Sequence, residues 1–123
     1  MRNSLLASLL AAAALAAPAW AAGDADAGKM AFNAKCALCH TTTAGTTRLG
    51  PSLFGVVGRK AGTLPGFNYS DAMKNANRTW GDATLDAYLA NPQQNLPGVK
   101  MVFAGLPDAT ARQNVIAYLE TLK

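Results

Sequence analysis

Cys36-Ala37-Leu38-Cys39-His40 gathers both cysteines and the only histidine of a 123-residue chain into five consecutive positions. Random placement of two Cys and one His would give this pattern on the order of once in ten thousand arrangements. Two thiols three positions apart on a short helical turn can each add to a vinyl group of a haem, leaving thioethers. The next residue then projects an imidazole toward the iron from the same face. A haem held this way is not lost without breaking covalent bonds. Other chemistries use paired cysteines, but their contexts are missing. A thioredoxin-like redox pair wants a βαβ setting, and a zinc site wants at least one more Cys or His than the chain has.

His40 fills one axial position of such an iron. The soft neutral side chains left to fill the other are Met30, Met73 and Met101. Met30 lies six residues before Cys36 on what reads as one helix, too close to reach the opposite face of the ring. Met73 falls in the short helical pattern Ser70-Asp71-Ala72-Met73-Lys74-Asn75-Ala76, where a methionine more often packs. Met101 sits within Leu96-Pro97-Gly98-Val99-Lys100-Met101-Val102-Phe103-Ala104-Gly105, whose Pro97, Gly98 and Gly105 mark a loop able to wrap the second face. Met101 is the preferred candidate.

The elements that must carry these residues read as helices joined by long loops. Asp24 or Asp26 can cap a first helix running through Lys35, with Gly28 allowing a close contact beside Met30 and Phe32. From Thr41 to Pro65 the chain carries Gly45, Gly50, Pro51, Gly55, Gly58, Gly62 and Pro65 with no sustained period, which predicts loop. Asp82 can cap a helix whose Leu85, Tyr88 and Leu89 share a face, ended by Asn91-Pro92. Asp108 or Thr110 starts a last helix with Val115, Tyr118, Leu119 and Leu122 at helical spacing. No stretch alternates with period two long enough for a sheet, and no repeat or linker interrupts the chain. The prediction is one all-α domain.

The first residues belong to no core. Arg2 forms a positive start, Leu5 to Ala17 an apolar run, Pro18 a break, and Ala19-Trp20-Ala21 the small-x-small pattern of a signal-peptidase site. The apolar run is short for a membrane span, so residues 1–21 are read as a cleaved export signal and 22–123 as the mature domain, without a stable membrane anchor. Cleavage removes one cation, Arg2, and no acid, so the net charge falls from +4 to +3. The remaining Lys and Arg are scattered singly or in one pair, which excludes a nucleic-acid binder. The signal lacks a twin-arginine pair, consistent with Sec-type export to a bacterial periplasm.

Segment by segment the mature chain resembles the class I c-type cytochromes, the mitochondrial cytochrome c and bacterial cytochrome c2 family. The resemblance spans residues 23–123. It is carried by Gly23 to Lys29, Lys35 to Thr41, Gly50 to Lys60, Pro65 to Ala72, Trp80, Tyr88 to Pro92, Pro97 to Gly105 and Ile116 to Leu119. It implies helices and long loops wrapped round one covalently attached haem c. Cys36 and Cys39 would be the thioether cysteines, His40 and Met101 the axial ligands, and the Pro51 carbonyl would accept a hydrogen bond from the His40 ring. It also puts Tyr88 near the Met101 sulfur, Arg59, Tyr69 and Trp80 round the propionates, and Phe103 against the ring. Taken alone, Trp80, Tyr88 and Phe103 read as ordinary core residues. Arg59 beside Lys60 likewise reads alone as a solvated pair.

The implied function is one-electron transfer without bond chemistry, since His and thioether together leave iron no open position. Donor and acceptor would be redox proteins such as a quinol:cytochrome c oxidoreductase and a terminal oxidase, peroxidase or reaction centre, met by a monomer. Lysines round an exposed haem edge commonly steer such encounters. Lys35, Arg48 and Lys100 match that pattern, whereas Gln93, Gln94, Pro107 and Asp108 replace lysines common in mitochondrial relatives, leaving a more neutral docking face. Met73 and Val99 replace polar residues expected near a propionate. Two other readings are a haem enzyme or gas sensor with Met101 off the iron, and a subunit held in a larger oxidoreductase.

Overall fold

The computed structural model describes residues 11–13 and 23–123. The predicted export signal, residues 1–21, lies outside the described residues apart from 11–13. Five helices follow: α1, Ala25–Lys35; α2, Asp71–Lys74; α3, Asp82–Ala90; α4, Pro92–Asn95; and α5, Ala109–Glu120. Among the described residues there is no strand, only an isolated antiparallel bridge between Lys60 and Thr79.

α1 begins where Asp24 turns its carboxylate back onto the amides of Asp26 and Ala27 at 2.9 and 3.2 Å, satisfying donors that the first helical turn leaves free. Its principal partner is α5. A methyl group on Gly28 would collide with the Asn114 backbone carbonyl, so glycine here lets two helix backbones cross at close range. Below that crossing Phe32, 2% exposed, meets Tyr118 with ring centroids 5.3 Å apart. Val115, Ile116 and Leu119 of α5 complete the seam. Each such buried side chain contributes roughly 1.5–3 kcal/mol of transfer free energy. Met30, expected beside this contact, points away and is 75% exposed; in α1 only Gly28 and Phe32 are buried.

α3 packs on α5 and carries Leu85 and Tyr88 into the core. Its cap is Gly81, one residue before the expected Asp82, because Thr84 Oγ1 accepts the Gly81 amide at 2.8 Å and donates to the Thr79 carbonyl at 2.8 Å. Asp82 becomes the first helical residue, where its charge complements the helix dipole. Asn91 ends α3 and also caps α4, accepting from the Gln94 amide at 3.2 Å with Pro92 at the first helical position. The expected stop is thus a stop and a restart. α5 is capped by Asp108, which accepts from the Ala111 amide at 2.9 Å.

The long segment between α1 and α2 is loop, as its glycines and prolines predict, but a well-satisfied one. Buried Ser52 donates to the Thr43 carbonyl at 2.7 Å and accepts from the Phe54 amide at 3.2 Å. Backbone bonds of Gly58 and Ala61 to the carbonyls of Trp80 and Arg78, 2.7 and 2.8 Å, tie the loop to the segment leading into α3.

Candidate haem-binding site

α1 ends at Lys35, and its cap Cys36 keeps a right-handed helical backbone whose amide reaches the Phe32 carbonyl at 2.8 Å. A tight turn follows, with the amides of Cys39 and His40 both on the Cys36 carbonyl at 3.1 and 3.0 Å. This turn sets the sulfurs and the imidazole on one short stretch. Both cysteines are free thiols, Cys36 half-buried and Cys39 exposed. Burial, and secondarily the neighbouring Cys39, push the Cys36 thiol up to about 11, so it stays protonated at neutral pH.

His40 is oriented by its own chain. Nδ1 lies 2.7 Å from the Pro51 carbonyl oxygen. A carbonyl can only accept, so Nδ1 carries the proton and Nε2 is left with a lone pair free to ligate. Gly50 is pressed against the ring: a Cβ there would stand 2.5 Å from Cε1 and 3.0 Å from Nε2. The Gly50 amide is tied to the Cys39 carbonyl at 2.9 Å, and Arg48 Nη1 donates to the Ala37 carbonyl at 3.1 Å. Burial lowers the His40 pKa, against the opposing bond to Pro51, which keeps the imidazole neutral as a ligand must be.

Met101 is half-buried against the core, on a segment without helix or strand, and lies near His40. Its loop is braced along its length. Gln93 Nε2 of α4 donates to the Val99 carbonyl at 3.1 Å and the Met101 carbonyl at 2.9 Å. Lys100 Nζ donates to the Asn68 carbonyl at 2.9 Å, crossing to a segment whose Tyr69 lines an open cleft of about 530 Å³. At the far end Gly105, φ +103°, lies so close to the Ala90 carbonyl that no Cβ fits, and the Leu106 amide bonds to the Leu89 carbonyl at 2.7 Å.

The remaining predicted residues divide. Trp80 and Tyr88 are buried together, centroids 5.0 Å apart. Burial raises the Tyr88 phenol to about 12, with nearby Arg78 pulling the other way. Phe103 is half-buried on the same core cluster. Tyr69 packs edge-on against Phe67 at 4.8 Å. Arg59 is no loose surface cation: it donates to the carbonyls of Ser52 and Phe54 at 3.0 and 2.6 Å.

These residues fit a covalently held haem. The thiols are unpaired, the histidine has Nε2 left free to ligate by a fixed tautomer, and glycine stands where a side chain would displace the ring. The family model for cytochrome c matches residues 25–123. The chain belongs to the cytochrome c family. It is 48% identical over 124 residues to cytochrome c2 of Rhodomicrobium vannielii, covering 98% of this chain and 97% of that one. It is 46% identical over 101 residues to cytochrome c of Euglena viridis, covering 82% and 99%. Its fold matches the solved structure of cytochrome cH from Methylobacterium extorquens with a TM-score of 0.75 and 45% identity, over 80% of this chain and 99% of that one.

As a cytochrome c, the chain is an electron-transfer protein rather than an enzyme, with one haem c attached through Cys36 and Cys39. Two contributors escaped the sequence reading. Gln93 registered only as a missing docking lysine, although its amide braces the Met101 loop. Arg78 registered only as one scattered cation, yet it stacks over Trp80 at 5.9 Å and donates to Asn95 Oδ1 at 2.6 Å. No local pattern announces either, since both depend on where the loops turn their carbonyls and side chains.

Proposed function

We propose that the chain is a periplasmic one-electron carrier whose haem iron is ligated by His40 and Met101, shuttling between membrane or periplasmic redox complexes. The observation that carries this reading is the pairing of two prepared ligands. His40 Nε2 is freed by the Nδ1 bond to Pro51, and Met101 sits near it on a braced loop. When bound, the haem supplies a reversible one-electron couple at its iron.

The chain supplies the rest. With haem bound, the His40 imidazole and Met101 thioether together would leave oxygen or peroxide no position, and the soft thioether would favour the ferrous state, suiting a high-potential carrier. The Pro51 carbonyl holds the His40 ring and strengthens it as a donor. Trp80, Tyr88 and Phe103 would give apolar walls that keep water out, and Arg59 and Tyr69 would hold the propionates. Residues 1–21 act as a cleaved export signal, which places 22–123 in a bacterial periplasm. The match to the Rhodomicrobium vannielii cytochrome c2 supports this, since at 98% coverage it extends into that segment. No helix among the described residues is long and apolar enough to cross a membrane.

The test is the visible spectrum, oxidised and reduced, with and without carbon monoxide. The expected result is a low-spin c-type haem with a weak long-wavelength sulfur-to-ferric band, unchanged by carbon monoxide. A high-spin haem or prompt carbon monoxide binding would overturn Met101 as a ligand and point to an enzyme or sensor.

A further inference from the structure

The sixth position of the iron is only as closed as the loop that presents Met101, and that loop has no regular structure to hold it. Its backbone between Leu96 and Gly105 has one internal bond, Val99 amide to Leu96 carbonyl, at a long 3.3 Å. What holds the two carbonyls flanking Lys100 comes from outside the loop. Gln93 is the second residue of α4, locked in place by the Asn91 cap and by Pro92, which is buried. Its amide nitrogen has two hydrogens, and the structure gives both an acceptor: the carbonyls of Val99 and Met101. Because both partners can only accept, the amide has one acceptable orientation.

We propose that Gln93 is a positioning residue for the axial thioether: its side-chain amide clamps the Val99 and Met101 carbonyls and so sets how often Met101 leaves the iron. This rests on the His40/Met101 ligation proposed above. The clamp acts on the ligand's own backbone, so its loss loosens Met101 before it unfolds the protein. Gln93 is exposed, so each of its two bonds is worth only about a threefold change in loop opening. Together they amount to about a tenfold change in loop opening. A glutamate at this position would present acceptors to acceptors. A methionine would keep the length and apolar stem without any donor.

The experiment uses the haem-loaded protein and measures the rate at which excess imidazole binds ferric iron, a rate limited by release of Met101. Gln93→Met and Gln93→Glu are expected to bind imidazole about tenfold faster than the native protein. Gln94→Met, the next residue of α4, controls for changes in that helix and is expected to leave the rate unchanged. The sulfur-to-ferric band of the Gln93 variants should persist but weaken, and global unfolding should shift little. Native rates in both Gln93 variants, with the band present, would overturn the clamp. So would a Gln94→Met protein as fast as the Gln93 variants. If the native protein itself lacks the band, the ligation falls and the clamp's role with it, a failure visible before any substitution is made.

Discussion

The segments that carry His40 and Met101 are held in contrasting ways. On the His40 side the contacts close over short stretches of chain: Nδ1 to the Pro51 carbonyl and Arg48 to the Ala37 carbonyl each span eleven positions. The two cysteines on the same turn add covalent attachment. On the Met101 side the loop is tied by a Gln93 amide, by Lys100 reaching across 32 positions to Asn68, and by a glycine wedged under Ala90. A part-buried ring bond beside two points of covalent attachment survives local fluctuation, whereas ties made by exposed side chains alone open with small free energies. The two faces of one site therefore differ in rigidity, and ligand loss should begin at Met101.

Removing each proposed ligand gives the largest contrast. His40→Ala deletes the group that shares a turn with both cysteines, and we expect almost no low-spin holoprotein. Met101→Ala should retain covalently bound haem, turn high-spin in the ferric state and bind carbon monoxide. Haem staining after denaturing electrophoresis reads attachment, and the visible spectrum reads ligation. Equal haem loss in both variants would break the asymmetry.

A single methyl placed on each side sharpens the comparison. Gly105→Ala would force a Cβ into the Ala90 carbonyl at a positive φ, and should cost roughly 2–4 kcal/mol. Gly50→Ala would push on the His40 ring without a left-handed backbone to strain, and should cost roughly 1–3 kcal/mol. Denaturant unfolding gives both values. Gly105→Ala should weaken the sulfur band, while Gly50→Ala should leave the band in place and shift the main haem absorption through a tilted imidazole.

The same asymmetry governed what was legible beforehand. Cys36, Cys39 and His40 declare themselves because attachment chemistry is written in consecutive residues. Met101 stands out as the candidate second ligand because few soft side chains remain and its loop carries Pro97, Gly98 and Gly105. The helices containing Phe32, Leu85 and Val115 were readable from caps and spacing, and the structure moved only one cap, from Asp82 to Gly81. The gaps lie in side chains that bond to loop carbonyls six or seven positions away, such as Gln93 to Val99, Arg59 to Ser52 and Arg112 to Leu106. Periodicity records which face of a helix is buried. It carries no record of where a loop's carbonyls will point.

Arg112 tests whether the Met101 loop is also held from downstream. Its Nε pairs with Asp86 at 2.8 Å, joining α5 to α3, and its Nη1 donates to the carbonyls of Leu106 and Pro107 at 2.8 and 2.9 Å. Arg112→Met keeps the stem but leaves the carbonyls and Asp86 without their donor. We expect a loss of about 2 kcal/mol in global stability, read by thermal unfolding. If the loop is a separate unit, imidazole binding should accelerate less than in Gln93→Met, although the stability loss is larger.

The smallest effect belongs to a pair remote from both ligands. Glu120, the last residue of α5, has its pKa raised by a hydrogen bond with Asp82, then by burial and by Asp82's charge, with Lys123 opposing. In the native state its carboxyl keeps its proton to higher pH than in the unfolded chain, whose ordinary value is 4.5. The native state therefore binds more protons just above that pH, and stability falls as pH rises through the window between the two values. Above it the two carboxylates repel, and Glu120 also faces the negative end of the α5 dipole. Glu120→Gln retains a group that donates to Asp82 and removes the charge. Its Tm should exceed the native value slightly at pH 7, and the difference should vanish below pH 4.5, where Glu120 is protonated in both states. Because the pair lies between α3 and α5 and belongs to neither the His40 turn nor the Met101 loop, the variant should leave imidazole binding unchanged at both pH values. A changed rate would mean that the helical frame and the Met101 loop open together, and the contrast between the two sides would then belong to the whole fold.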